Sequence, residues 1–402
     1  MAEGTGRLEG QVQGTPPLAP EQAVELAAVE RPIAEAQGLP NWLYTSEEGF
    51  LLERERLFAP TWACVGFGKD VPEPGDLRPV DLMGLPLILL RDHAGEIRVF
   101  HNVCSHRGLE LVSEPCRVRH RLRCPYHSWT YELDGRLVAT PMIGGPGQND
   151  CEGFDRARHG LKPVRSAVWF DIVFINLSGQ AADFETHVAP LARRWSAFDG
   201  DLLRHGGADS SIFFDLECNW KLAVENYCEG YHLPWVHPGL NSYSRLEDHY
   251  NIEEPGFSGQ GSRVFQLRLG DGSLAFPNFP DLPDKWLAGS EYVTFFPNVM
   301  LGIHRDHFYA VRVDPLAPGR CREYFEIYYL GEEPRAAAYD GLRAENREAW
   351  RSIFAEDQEV VERMQRGRAS PAYRGGVFSP AMDGPTHAFH RWVARSLTGS
   401  AA

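Results

Sequence analysis

Two cysteines and two histidines fall into paired short units, Cys104-Ser-His106 and, seventeen residues further on, Cys124-Pro-Tyr-His127. Thiolate and imidazole are ligands of zinc and of iron–sulfur centres. A zinc finger usually places its cysteine pair first and its histidine pair second. Here each unit joins one Cys to one His, which suits a [2Fe–2S] cluster of mixed ligation. Cys104 and Cys124 would hold one iron and His106 and His127 the other, the neutral imidazoles raising the potential above that of an all-cysteine cluster. A lone Cys or His would be read as core packing, but four in this order are read as ligands. The plain alternative is a structural zinc site.

A second constellation lies in residues 218–238, CNWKLAVENYCEGYHLPWVHP. It reads as a helix broken by Pro234. Lys221, Glu225, Glu229 and His232 recur at i, i+4, i+8 and i+11 and would share one face; a solvated polar face is the bland reading. His232 and His237 flank the break, where a side chain from the helix end and one from the next loop can converge. Glu229 lies one turn before His232 and can orient its imidazole through the second ring nitrogen. Two imidazoles and a remote carboxylate make the facial triad of a non-haem Fe(II) oxygenase. Residues 342–367 supply the candidate carboxylate. They read as a long helix ending at Gly367, with Trp350, Ile353, Phe354, Val361 and Met364 as its apolar stripe. Asp357 is four residues from both Ile353 and Val361 and so points inward. A buried unpaired carboxylate is costly; a metal, or an internal salt bridge to an arginine, would resolve it. Glu356 and Glu359 read as solvent-facing charge.

The elements that must position these residues suggest an α+β chain. The first loops need an all-β scaffold. Short strands are expected from Trp62 to Phe67, over Leu85–Leu90 and Ile97–Phe100, and as one strand over Ala167–Ile175, with a hairpin signal at Asp134-Gly135. Gly108 and Pro125 suit tight ligand loops, and Trp129 reads as packing. A helix capped by Ser46 should run to Phe58. The second part should be an antiparallel sheet gripped by helices. Its expected helices are 184–198 and 385–397, the latter carrying His387 and His390 as structural or exposed residues. Its expected strands are Ser211–Leu216, Arg263–Leu269, Glu291–Phe296, Phe308–Val313 and Arg322–Tyr329. Phe276, Trp286, Phe296, Met300 and Tyr309 could line its pocket, although each alone reads as core. Residues 1–40 are expected as a flexible tail with some helix over 21–35, 41–180 as the cluster domain and 181–402 as the mononuclear iron domain.

Bulk properties narrow the class. A length of 402 residues accommodates two or three cores. A net charge of −15 argues against a nucleic-acid partner, which needs a basic footprint. No apolar run approaches a membrane span and no signal peptide is legible. Eight cysteines with no readable disulfide framework suit a reducing cytoplasm.

From about residue 40 to 397 the chain resembles the catalytic α subunit of a Rieske non-haem iron oxygenase of the ring-hydroxylating type. The resemblance rests on Cys104-x-His106, Cys124-x-x-His127, Asn219-Trp-Lys221, Glu225-Asn226, Glu229-x-x-His232-x₄-His237-Pro238 and Glu356-Asp357. It implies a Rieske domain with a [2Fe–2S] cluster and a helix-grip-like domain holding Fe(II) on His232, His237 and Asp357. Members often carry Asp where this chain has Glu229, and Glu retains the carboxylate with a longer reach. The resemblance further implies a head-to-tail homotrimer in which Glu229 bridges His232 to a Rieske histidine of the neighbour. Electrons would come from NAD(P)H through a separate reductase, possibly with a ferredoxin, and O₂ would hydroxylate a small organic substrate. The run Asn226-Tyr-Cys-Glu-Gly-Tyr-His232 and the chain length are similar to the branch acting on glycine betaine, choline, carnitine and dimethylproline. Aromatic-ring dioxygenases and O-demethylases of aromatic acids share such motifs. A Rieske electron carrier without oxygenase activity is the reading from another class, and the iron triad speaks against it.

Overall fold

The computed structural model describes residues 17–399. One antiparallel sheet has seven strands in the order Ala63–Phe67, Ile172–Asn176, Pro163–Trp169, Ile97–His101, Leu85–Arg91, Asp76–Leu82 and Cys116–Arg117. A small sheet of Leu122–Arg123, Thr130–Tyr131 and Leu137–Ala139 lies beside it in the chain. Leu77, Ile88, Phe100, Leu122 and Tyr131 form a local core with Cys104 and Cys124. The ligand loops therefore rest on a packed apolar floor.

The larger sheet has eight antiparallel strands. Its main path runs Leu203–His205, Arg320–Leu330, His307–Ala317, Val299–Ile303, Ser290–Phe295, Phe257–Ser262 and His249–Glu254, and Ser211–Leu216 also pairs with Arg320–Leu330. The helices Trp220–Cys228 and Asp340–Arg368 pack on this sheet and on each other, bringing both metal-bearing segments together. The α+β architecture expected from sequence is what the chain adopts.

Local departures have physical causes. The single strand expected over Ala167–Ile175 is a hairpin, turning at Phe170 and Asp171, whose φ angles are +50° and +63°. Such turns favour Asn-Gly, so Phe-Asp carried no turn signal. Tertiary bonds to the Asp171 carboxylate from the Lys69 amide (3.1 Å) and the Tyr328 hydroxyl (3.0 Å) hold it there. The strand expected over Arg263–Leu269 is irregular, and Phe257–Ser262 takes the sheet position instead. That stretch has no apolar alternation; Gly259 allows the Tyr292 carbonyl to approach and Gly261 accommodates the Tyr250 ring. The helix from Phe184 stops at Arg194, although Trp195 and Phe198 remain buried. Ser46 caps Glu47–Glu53 as expected, and the last turn to Phe58 widens into a π-helix. The region expected as a tail carries a helix, Pro20–Val29, whose end meets the last helix, Gly384–Thr398. There His387 Nε2 lies 2.8 Å from the Val29 carbonyl, and Glu30 pairs with Arg391 and Arg395. The expectation for residues 1–16 lies outside the described residues.

The helix Trp220–Cys228 does not present Lys221 and Glu225 to solvent or to the metal site. Lys221 is fully buried, with its ammonium 2.5 Å from Glu53, 2.7 Å from Asn219 Oδ1 and 2.8 Å from the Leu43 carbonyl. Glu225 accepts from the Tyr44 hydroxyl, lies 3.0 Å from His390 Nε2 and 3.6 Å from Arg368. His390 is thus structural; the Leu39 amide donates to its Nδ1 at 3.1 Å, leaving Nε2 to carry the proton toward Glu225.

Breaking one partner of a buried pair leaves an uncompensated charge, at a cost of about 3–5 kcal/mol. Lys221→Met is expected to destabilise the chain by about that much in chemical denaturation, and Lys221→Met/Glu53→Gln to recover most of it. A double variant no more stable than the single one would remove the ion pair from the account.

Candidate metal centres and active-site pocket

The two cluster loops repeat one geometry. The Cys104 amide donates to the Leu109 carbonyl and the Cys124 amide to the Trp129 carbonyl, both at 2.8 Å. Gly108 N–H reaches the Cys104 carbonyl at 2.9 Å and Ser128 N–H the Cys124 carbonyl at 3.0 Å. Both of these donors have positive φ, +72° and +60°; Gly108 meets this freely, while Ser128 bears a side chain in the same conformation. The loops bring Cys104 and Cys124 within hydrogen-bonding contact and place the His106 and His127 rings 4.6 Å apart. Both sulfurs are buried, whereas the histidines are partly exposed.

This donor set fits a mixed-ligand cluster. Buried His106 Nδ1 has no hydrogen-bond partner among the described residues, as expected of a nitrogen kept for a metal. Burial pulls His106 below the usual imidazole range, keeping it neutral. Burial raises the Cys124 thiol, against backbone N–H groups of Tyr126 and His127 aimed at its sulfur, donors that also tune a cluster's potential. The Tyr131 hydroxyl lies 3.3 Å from Cys104 Sγ. Trp129 stacks on His106 at 4.7 Å, so its packing role serves a ligand directly.

The second centre is built at a helix end. The helix stops at Cys228, before Pro234, and Glu229 is extended. The Glu229 carboxylate then turns back, accepting from the Tyr231 amide and lying 2.7 Å from His232 Nδ1. Pro234 sits in the first turn of a short helix, Leu233–Val236, that delivers His237. Asp357 comes from the long helix. Donor atoms of His232, His237 and Asp357 lie within 4.8 Å of one another. Asp357 Oδ1 is 3.0 Å from His237 Nε2 and 3.7 Å from His232 Nε2. Each Nδ1 has its own carboxylate, so both Nε2 atoms remain for a cation, and two nitrogens with one oxygen are the donors of a non-haem iron site.

Glu356 corrects the sequence reading. It does not point to solvent alone; its carboxylate lies 2.7 Å from His237 Nδ1. Burial pulls His237 down, but Asp357 and Glu356 outweigh it and leave its pKa raised. Asn226, also unassigned by its type, donates to Asp357 Oδ1 at 3.1 Å. Gln260 Nε2 donates to the Glu229 carbonyl at 3.0 Å, fixing the bend. Glu323 lines a small cavity behind Asp357, and burial, then the Asp357 charge, push its carboxyl up to about 8.

A pocket opens over the triad. Tyr227, Tyr292, Tyr309, Trp350 and Phe354 line it beside His232, His237 and Asp357. Of the five aromatic and sulfur-bearing candidates named from sequence, Tyr309 is in this lining; Phe276, Trp286, Phe296 and Met300 are buried core.

Glu356→Gln is expected to weaken Fe(II) binding about 10–100-fold by loosening the His237 tautomer, with the cluster's visible absorbance unchanged. Equilibrium dialysis of iron measures it, and an unaltered affinity would show that the Glu356 contact does not support the site.

Residues 61–148 match the Rieske [2Fe-2S] domain family and residues 201–399 the ring hydroxylating alpha subunit (catalytic domain) family. The chain is 30% identical to a chloroplastic choline monooxygenase of Arabidopsis thaliana, over 91% of this chain and 84% of that one. It is 28% identical to a glycine betaine monooxygenase oxygenase subunit of Chromohalobacter salexigens, over 89% and 85% of the respective chains. A solved quaternary ammonium Rieske monooxygenase superposes with a TM-score of 0.77 at 23% identity, covering 95% of this chain and 99% of that one. With its cysteine–histidine loops, its two-histidine, one-aspartate centre and these relatives, the chain belongs to the α subunits of the Rieske non-haem iron oxygenases.

Proposed function

We propose that this oxygenase hydroxylates an N-methyl group of a small quaternary ammonium compound, and that the product collapses to formaldehyde and the demethylated amine. The observation that carries this reading is the pocket lining: four aromatic residues with hydroxyl or indole groups, Tyr227, Tyr292, Tyr309 and Trp350, beside a carboxylate and with no lysine or arginine. Aromatic faces attract alkylammonium cations at about 0.5–2 kcal/mol per contact. The Tyr227 hydroxyl donates to the Leu301 carbonyl at 2.9 Å and lies 3.0 Å from that of Tyr309, so these hydroxyls are already engaged and leave the rings for packing. The choline and glycine betaine activities of the two relatives point to the same class.

When bound, the [2Fe–2S] cluster on Cys104, His106, Cys124 and His127 and the iron on His232, His237 and Asp357 supply electron storage and O₂ activation. The protein residues hold and shield. Glu229 and Glu356 keep each Nδ1–H in place, and Leu233, Leu240, Ile353 and Phe354 exclude water. Within this reading residues 41–180 form the cluster domain and 181–402 the catalytic domain. We further place Glu229 as the bridge from His232 to His106 or His127 of a neighbouring subunit in a head-to-tail trimer. In support, both redox ends reach the surface beside exposed aromatics: Tyr126 is 58% exposed near the cluster and Trp235 71% near His232. The family's need for a separate NAD(P)H-dependent reductase goes with this arrangement.

With reductase, NADH and O₂ supplied, formaldehyde is expected from one member of a panel of choline, glycine betaine, carnitine and dimethylproline, and none from methoxybenzoates. Release from a methoxybenzoate alone, or hydroxylation of an aromatic ring, would overturn the substrate class. Glu229→Gln, assayed at saturating Fe(II) so that both metals are bound, is expected to lose nearly all turnover; normal turnover would end the bridging assignment.

A further inference from the structure

The turn between Val299–Ile303 and His307–Ala317 buries a histidine with nothing to bind. His304 is 2% exposed, and neither Nδ1 nor Nε2 has a hydrogen-bond partner among the described residues. Its amide is engaged with the His307 carbonyl at 3.0 Å, so the backbone is satisfied while the ring is not. A buried polar group left unpaired costs about 1–3 kcal/mol. Histidine is an expensive way to fill apolar space, and its neighbour shows the contrast: His307 contacts Asp306 through Nδ1 and accepts from the Trp350 indole N–H at 3.2 Å through Nε2.

The position of this ring is informative. It lies 5.3 Å from Trp350 and 5.5 Å from Tyr292, both in the lining of the metal pocket. On its other side it stacks on His307 at 4.2 Å and lines a second cavity that leaves about 30 Å³ for water centres. That cavity holds another orphan, Oδ1 of fully buried Asn346, whose amide nitrogen donates to the Tyr329 hydroxyl at 3.1 Å. Asn346, Trp350 and Asp357 lie on one helix.

We propose that His304 is a specificity-determining residue that hydrogen-bonds a hydroxyl at the end of the substrate away from its reacting methyl group; this rests on the quaternary ammonium reading above. Burial drives the imidazole well below its ordinary range, so the ring is neutral and offers one donor and one acceptor. A hydroxyl uses both kinds of site, accepting from His304 N–H and donating to Asn346 Oδ1. A carboxylate has no proton for either acceptor, and the Arg305 and Asp306 charges that also line the cavity face each other at 3.8 Å.

The test is calorimetric titration of the holoenzyme, with turnover in parallel, using choline, its hydroxyl-free isostere n-propyltrimethylammonium, and glycine betaine. The wild type is expected to bind choline at least about tenfold more tightly than the isostere, the equivalent of one well-made hydrogen bond. His304→Phe is expected to bring that ratio near one, raising KM for choline with little change in kcat. His304→Gln, which keeps a donor and an acceptor, is expected to preserve part of it. A wild type without the preference, or a His304→Phe variant that keeps it, overturns the assignment while leaving the substrate class standing. A wild type that binds none of the three overturns the assignment, and one that also releases no formaldehyde from carnitine or dimethylproline overturns the substrate class with it. Because the wild-type ratio is itself decisive, misfolding of a variant does not shelter the proposal.

Discussion

The iron centre depends on two carboxylate–imidazole contacts. Glu229 and Glu356 each sit 2.7 Å from an Nδ1, on His232 and His237. A neutral imidazole has one protonated nitrogen, and whichever bears the hydrogen cannot ligate. By occupying both Nδ1 positions the carboxylates turn both Nε2 lone pairs toward Asp357. They also surround the centre with negative charge: Glu229, Glu356 and Asp357 are three acidic groups around two imidazoles, an arrangement that favours a divalent cation and disfavours an empty site. Against the effect of burial, Asp357 and Glu356 hold the pKa of His237 above its ordinary value.

Holding those carboxylates requires a rigid frame, and much of it is buried charge. The helix leading into Glu229 is fixed at Lys221 by Glu53 and at Glu225 by Tyr44, Arg368 and His390. Glu53 and Tyr44 come from the N-terminal helices, Arg368 from the end of the helix that carries Asp357, and His390 from the last helix. Four separate chain segments thus converge on one nine-residue helix. Buried ion pairs are weak contributors to net stability against apolar replacements, but they penalise misplacement strongly. That is the property a metal centre assembled from distant segments needs.

The cluster domain solves a different problem by a different route. Its loops use local backbone bonds repeated twice, over an apolar floor, and leave the histidine side near the surface. The iron centre lies beside an enclosed aromatic pocket. A group that exchanges electrons with a partner benefits from exposure, while one that oxidises a substrate benefits from exclusion of water.

Much of this was legible in the residue order. Cys104, His106, Cys124 and His127 are close in sequence, so their spacing alone restricts them to two loops. His232 and His237 are separated by one bend. Asp357 was recognisable because an acidic residue interrupts an apolar helical stripe, a pattern with few cheap explanations. The long helices and about half of the strands followed from apolar periodicity, whereas His249–Glu254 and Val299–Ile303 did not. Tertiary structure decided what periodicity does not encode. Glu356 occupies a helix position indistinguishable from an exposed one, and its role depends on where His237 arrives from another segment. Lys221 and Glu225 looked like a solvated face because their partners lie more than a hundred residues away. The Phe170-Asp171 turn and the Phe257–Ser262 strand ran against local preference and are held by neighbours across the sheet. Ligand identity is written in local spacing because few residue types bind metals. Ligand orientation, pocket lining and charge pairing depend on which distant surfaces meet, and that is set only when the whole chain packs.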